Sequence, residues 1–323
     1  MAHYLIHSCD AAPIAQQGLT AARKYALIAP DAPHALHMPQ HIVNRVGAWQ
    51  DSVALNRRSA DAAKQDNSLV DAYHAADYRV YAQLQMGRDK DARRVLDEFK
   101  SASGIGLPQF ARPYAAVAMP ARLALERGDW ATASQLPQQG SAFPQCEAIT
   151  SFARALGAAR RGDAATAEDS ARQLEAQHKA LLDTKNSYWA KDVEVQRIAV
   201  AAWLAQSRGQ NDEALRLMRA AADMEDRNEK HIVTPGRVLP ARVLLGDRLM
   251  LQKQPAEALV AYEQSQLREP NRLRGYAGAA AAAEAPGDRA KMRSHSAKLV
   301  ALTRDADTPL PEVARANAML ASR

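Results

Sequence analysis

One kind of turn recurs along this chain, and it limits what the chain can become. The segments "VGAWQDSVALN" (46–56), "MGRDKDARRVL" (86–96), "RGDWATASQL" (127–136), "RGDAATAEDS" (161–170), "RGQNDEALRLM" (208–218) and "PGDRAKMRSH" (286–295) share it: each puts a glycine after a helical run and a small or apolar residue five positions later. The glycines are Gly47, Gly87, Gly128, Gly162, Gly209 and Gly287, followed by Ser52, Ala92, Ala133, Ala167, Ala214 and Met292. A further copy, "KQPAEALVAYEQSQLREP", has Lys253 in the glycine's place, then Ala258 and a closing Pro270. Glycine supplies the left-handed conformation that ends a helix, and a small residue lets the next helix pack closely against the last. The encoded unit is a helical hairpin, which cannot bury its apolar face alone and has to stack on its neighbours.

Composition agrees with an all-α chain. It is rich in Ala, Leu, Arg, Glu and Gln, has four Phe and four Trp, and shows few of the alternating β-branched runs that strands need. A length of 323 residues is long for one globular domain. The repeat favours a single array over 1–323, about seven hairpins stacked in a right-handed superhelix. Two Gly- and Pro-punctuated stretches, "SASGIGLPQFARP" (101–113) and "DRNEKHIVTPGRVLP" (226–240), are expected as loops between repeats. Near the N-terminus, helices are predicted over 12–27 and 33–46. Residues 4–10 read as the remnant of an earlier helix, as if the chain were the C-terminal part of a longer protein.

Several classes fall away on composition. No run approaches the 18 or so apolar residues of a membrane span. The N-terminus lacks the basic start and apolar core of a signal peptide, so the sequence as given is expected to be cytoplasmic, or exported if a leader precedes it. Cys9 and Cys146 are too few for a disulfide framework. The net charge of +6 is interleaved with acids, and pairs such as Arg57/Arg58, Arg93/Arg94 and Arg160/Arg161 read as solvated helix faces. Basic residues do not alternate with aromatics, so no nucleic-acid partner is expected. Nucleophile-elbow, phosphate-loop and HExxH motifs are absent from the sequence.

What stands out is histidine. Five of the nine lie in the first 41 residues, within "HYLIHSCD" (3–10) and "HALHMPQH" (34–41). His3/His7 and His37/His41 are four apart, the spacing that puts side chains on one helix face, and His34 precedes His37 by three. Facing i,i+4 pairs from neighbouring helices can hold a transition metal through imidazole nitrogens. Pro39 either kinks the second helix or opens it, and both leave His37 and His41 close. The helix "DAYHAADY" (71–78) adds Tyr73, His74 and Asp77, about one repeat further on. Candidate ligands are therefore His3, His7, His34, His37, His41 and His74, for zinc first and copper second. Asp77 could be a further ligand or orient a histidine from outside the coordination sphere, Asp10 and Cys9 are further donors, and Asp10 or Asp77 is the candidate general base. A second polar concentration, "EKHIVTPGRVLPARVLLGD" (229–247), offers Glu229, Lys230, His231 and Thr234 in a loop, with Tyr73 as a further contact for substrate or partner.

The hairpin pattern resembles tetratricopeptide repeats, with that turn, that alanine and a proline at the repeat's end. "HYLIHSCD", "APDAPHALHMPQHIVNRVGAW" and "EKHIVTPGRVLPARVLLGD", in this order, are similar to a family of bacterial tetratricopeptide-repeat proteins that mostly lack an assigned function. The chain departs from the family's wording at Cys9, Gln40 and Val243. The resemblance implies helical repeats with the histidine segments facing one another, and no reaction. Together with the residues it leaves two readings. One is a scaffold whose concave groove takes a peptide or protein and carries a His-rich metal site. The other is a metal-dependent enzyme acting on a small molecule in that groove, a hydrolase activating metal-bound water before a copper oxidase.

Overall fold

The structure, a computed structural model, describes residues 1–28, 32–100, 110–285 and 287–322. In chain order its α-helices are α1 (Ala2–Ser8), α2 (Leu19–Ile28), α3 (Pro33–His37), α4 (Gln40–Arg45), α5 (Trp49–Gln65), α6 (Leu69–Gln85), α7 (Asp89–Lys100), α8 (Ala111–Glu126) and α9 (Trp130–Ser134). They continue with α10 (Pro144–Arg161), α11 (Ala164–Asp183), α12 (Ser187–Ser207), α13 (Asn211–Asp226), α14 (Ala241–Leu251), α15 (Pro255–Arg268), α16 (Leu273–Glu284), α17 (Arg289–Leu302) and α18 (Pro311–Ala321). The fold is all-α, and among the described residues there is no strand. Among them, too, no helix is long and apolar enough to cross a membrane.

The hairpin turns follow from one local geometry. All six repeat glycines have positive φ, from 62° at Gly128 to 78° at Gly162, and Lys253 adopts the same region at 57°. The residue after each closes the preceding helix with a six-residue hydrogen-bonded ring: Ala48 N donates to Val43 O at 2.8 Å, Asp163 N to Ala158 O at 3.0 Å, and Gln254 N to Leu249 O at 2.9 Å. That same residue begins the next helix, so one left-handed residue and one cap reverse the chain. Asp129, Asp163 and Asp288 cap through their side chains onto the backbone N–H three residues on. The residues five after the turn are all buried: Ser52, Ala92, Ala133, Ala167, Ala214 and Ala258 are fully enclosed, and Met292 nearly so.

The residues group into two compact units. The first comprises 1–119, 230–237 and 262–323, the second 120–229 and 238–261. In the second, α10 packs on α9, α11 and α12. Gly157 permits the α9 contact, since a Cβ there would lie 2.7 Å from both the Trp130 carbonyl oxygen and the Ser134 nitrogen.

In the first unit α3 and α4 lie on α5, and α5 on α6. A small core of Ile6, Ala22, Met38 and Ile42 ties α1 and α2 to α4, with Cys9 packed against it. Trp49 Nε1 donates to Asn271 O at 2.8 Å, and Leu273 N donates to Gln85 Oε1 at 3.1 Å, which fasten the 271–273 segment to α5 and α6.

Three expectations change. The helix predicted over 12–27 begins as a 3-10 turn at Ala15 and becomes α-helical only at Leu19. Pro13 lacks an N–H, and Asp10 is drawn away into contacts described below. The helix predicted over 33–46 is two short helices, α3 and α4, parted at Met38–Pro39 because Pro39 cannot donate; both residues keep helical angles, so the direction continues. Of the loop expected over 101–113, residues 101–109 lie outside the described residues, and from Ala111 onward the chain is already α8.

The turn geometry gives a paired expectation. Gly162→Ala adds a methyl with nothing within 4 Å and should cost about 1–2 kcal/mol, the penalty of a left-handed residue with a Cβ. Gly157→Ala should cost at least as much, despite alanine's higher helix propensity, because backbone atoms of α9 must move. Urea unfolding checks this; a neutral or stabilising Gly157→Ala would mean that the close α9–α10 contact is absent.

Candidate functional site

The first unit brings all six predicted histidines into one string. Ring centres are 5.5 Å apart for His34–His3, 4.7 Å for His3–His7, 5.7 Å for His7–His41, 5.2 Å for His41–His37 and 4.2 Å for His37–His74. His3 and His7 come from one turn of α1, His34 and His37 from α3, His41 from α4 and His74 from α6. The string is graded in exposure: His7 and His34 are exposed, His3 and His74 half-buried, and His37 and His41 only 3% and 4% exposed. Tyr78, one turn after His74 and fully buried, stands edge-on to His37 and His74 with ring centres at 4.8 and 5.3 Å.

Hydrogen bonds fix which nitrogen of each buried ring carries the proton. Asn56 lies on the α5 face that meets α3 and α4. Its Nδ2 donates to the Ser52 carbonyl at 3.0 Å, which can only accept, so its Oδ1 is the atom facing His37 Nδ1 at 3.3 Å. His37 Nδ1 is therefore the N–H, and Nε2 carries the lone pair. That Nε2 is buried and has no hydrogen-bond partner. Ser52 Oγ donates to Asn44 Oδ1 at 2.7 Å and extends the polar seam along α4.

His41 reaches the same state by another route. Its Nδ1 lies 3.0 Å from Asp10 Oδ2, and the Asp10 side chain is 1% exposed. Arg45 clamps the same aspartate, donating Nε to Oδ1 at 2.7 Å and Nη2 to the backbone oxygen at 3.0 Å. Lys230 adds a third donor, 3.4 Å from Oδ1, with a side chain 4% exposed. Burial alone would raise the Asp10 pKa, but Lys230, His41 and Arg45 outweigh it and hold the carboxyl well below its ordinary range. An ionised Asp10 accepts from His41 Nδ1–H and leaves Nε2 as the lone-pair atom. With both oxygens so engaged, Asp10 orients His41.

Burial also keeps the inner rings neutral. It lowers His37 well below the usual imidazole value, with His74, His41 and His34 adding repulsion. It lowers His41 despite the opposing pull of Asp10, and brings His74 down to about 3, with His41, His34 and Lys230 contributing. Lys230 is itself pushed down to about 8 by burial, against the pull of Asp10.

The remaining predicted residues divide. Thr234 is buried, and its carbonyl accepts the Tyr78 hydroxyl at 3.2 Å. His231 is half-buried, accepts the Val233 N–H on Nδ1 at 3.2 Å and stands edge-on to Phe110. Asp77 is buried on α6, three residues after His74, and the carboxylate on His41 is that of Asp10. Tyr73 faces the core, its hydroxyl donating to the Phe99 carbonyl at 2.7 Å, and is not brought to the histidines. Glu229 belongs to the second unit, exposed, its carbonyl accepting the Tyr188 hydroxyl at 2.7 Å. Among the described residues, no three His, Cys, Asp or Glu side chains are already arranged to hold a metal ion.

Several solved structures are similar to this chain. One is a tetratricopeptide repeat protein from Parabacteroides merdae, at 12% identity and a TM-score of 0.41, covering 90% of this chain and 99% of that one. Another is the Cut9–Hcn1 hetero-tetramer of the APC/C, at 11% identity and 0.32, covering 93% and 58%. A third is the P58(IPK) TPR domain, at 11% and 0.28, covering 95% and 93%. The chain is similar to these proteins in fold alone. No family model and no curated protein matches the sequence.

The neutral rings imply a pH dependence. Above pH 6.5 His74 is neutral in both folded and unfolded chains. Below it the unfolded chain takes up a proton that the folded chain refuses until about pH 3, so stability falls as pH drops through that window. Each such ring contributes a slope of at most about 1.4 kcal/mol per pH unit. In chelator-treated protein, His74→Gln should lose less stability than wild type between pH 7.5 and pH 5 in urea unfolding. Equal losses would mean that His74 titrates normally in the folded chain.

Proposed function

We propose that this helical-repeat protein binds a divalent transition metal, zinc before copper, through His37, His41 and His74. The observation that carries the reading is the His37 Nε2 lone pair, buried without a partner, one turn from a second ring held in the same tautomer. An unsatisfied buried acceptor costs about 1–3 kcal/mol, and a cation would relieve it. The arrangement matches the way metal-binding histidines are held, with Nδ1–H donated to a carboxylate or amide oxygen and Nε2 left for the ion.

Spacing supports it as well. Two imidazoles on one tetrahedral ion have ring centres roughly 5 Å apart. His37 and His41 stand at 5.2 Å, and His37 and His74 at 4.2 Å. Three protein ligands leave a fourth position open, which would admit water or a donor from a bound ligand. The partner class that suits stacked hairpins is a peptide or protein lying along them.

Metal analysis of untagged protein, with zinc titration after chelator treatment, tests this. Wild type should take up near-stoichiometric zinc at the inner rings, and His37→Ala/His41→Ala should lose it. Asp10→Asn, which keeps the shape but weakens the hold on His41, should lower affinity about 10–100-fold. No uptake of zinc or copper by wild type would overturn the metal reading and leave the repeat scaffold alone.

A further inference from the structure

Resting on that reading, we propose that His3, His7 and His34 form an outer metal site that captures the ion and passes it through His7 to His41. The outer rings repeat the inner pattern. His3 and His7 are four apart on α1 with ring centres at 4.7 Å, and His34 stands 5.5 Å from His3, bracketing the roughly 5 Å spacing of imidazoles on one ion. The Tyr25 hydroxyl lies 3.3 Å from His3 Nδ1, so the contact that positions the His3 ring is on Nδ1.

Exposure separates the two sites. His7 and His34 are open to solvent, whereas His37 and His41 are enclosed. An ion from solution meets the outer rings with most of its water still bound, and can exchange that water for nitrogen one ligand at a time. His7 joins the two groups, 4.7 Å from His3 and 5.7 Å from His41 between ring centres. No step along the string exceeds 5.7 Å. Transfer is ligand exchange: the bond to His41 Nε2 forms as the bond to His3 or His34 breaks, with His7 holding the ion meanwhile. The metal keeps its oxidation state, and the incoming Nε2 brings a lone pair, so no proton has to leave.

The test uses chelator-treated full chain, with zinc for stoichiometry by calorimetry and cobalt(II) for loading by stopped-flow absorbance. Wild type should bind two equivalents. His7→Ala/His34→Ala, both exposed positions, should keep its helix content, lose one equivalent and load the inner site severalfold more slowly than wild type. His37→Ala/His41→Ala should keep the outer equivalent. The proposal is overturned if His7→Ala/His34→Ala matches wild type in stoichiometry and loading rate. It is also overturned if wild type takes up a single ion lost only in the His37/His41 variant, a result that leaves the inner site standing. No uptake by wild type would overturn both.

Discussion

A carboxylate with a 1% exposed side chain has to be surrounded by donors or it cannot stay ionised, and Asp10 meets that condition three times over. Arg45, His41 and Lys230 converge on it from α4 and from the 230–237 segment. Three stretches distant in sequence thus share one charge. The arrangement is asymmetric: Arg45 makes the short, aligned bonds, while Lys230 stays at 3.4 Å or more. Charge-assisted bonds of the first kind offset desolvation better than long contacts of the second. Arg45 thus holds Asp10 by both its side chain and its backbone oxygen, and the fixed carboxylate in turn orients His41.

A second constraint, built from neutral groups, reaches His37 from the opposite side. The face of α5 buried against α3 and α4 carries Ser52, Asn56 and Ser59 where a larger apolar stripe is usual. Ser59 donates to the Pro33 carbonyl at 2.9 Å, Ser52 to Asn44, and Asn56 to the Ser52 carbonyl. Directionality runs along this seam and ends at the His37 ring. Two adjacent imidazoles are therefore set to one tautomer by independent means, a charge for His41 and an amide for His37. Burial adds the last requirement by keeping both rings neutral.

Much of this is legible in the sequence because it is local. The repeat glycines show themselves by their spacing, and so do the i,i+4 histidines. The left-handed turns at Asn67, Lys185 and Asn271 are harder to see, because no glycine marks them; a polar residue in "QDNSL", "DTKNS" and "EPNRL" is the remaining signal. Arg45, Asn56 and Tyr78 escape notice for a different reason. Each is ordinary within its own helix, and its role depends on a partner 35, 19 or 154–156 residues away. Lys230 and Thr234 stand out as polar loop residues, but their place beside Asp10 and Tyr78 comes only from the fold. Tyr73 shows the converse: its neighbours in "DAYHAADY" suggest the site, yet helix geometry turns it to the core.

The account turns on the protonation of two rings. Long-range proton–nitrogen correlation NMR of the imidazoles in metal-free protein at neutral pH reads it directly. The account predicts that His37 and His41 are both neutral, with protonated Nδ1 and bare Nε2. Protonated Nε2 on either ring, or a charged imidazolium, would contradict it, because that ring could then not offer the lone pair that the three-histidine site depends on.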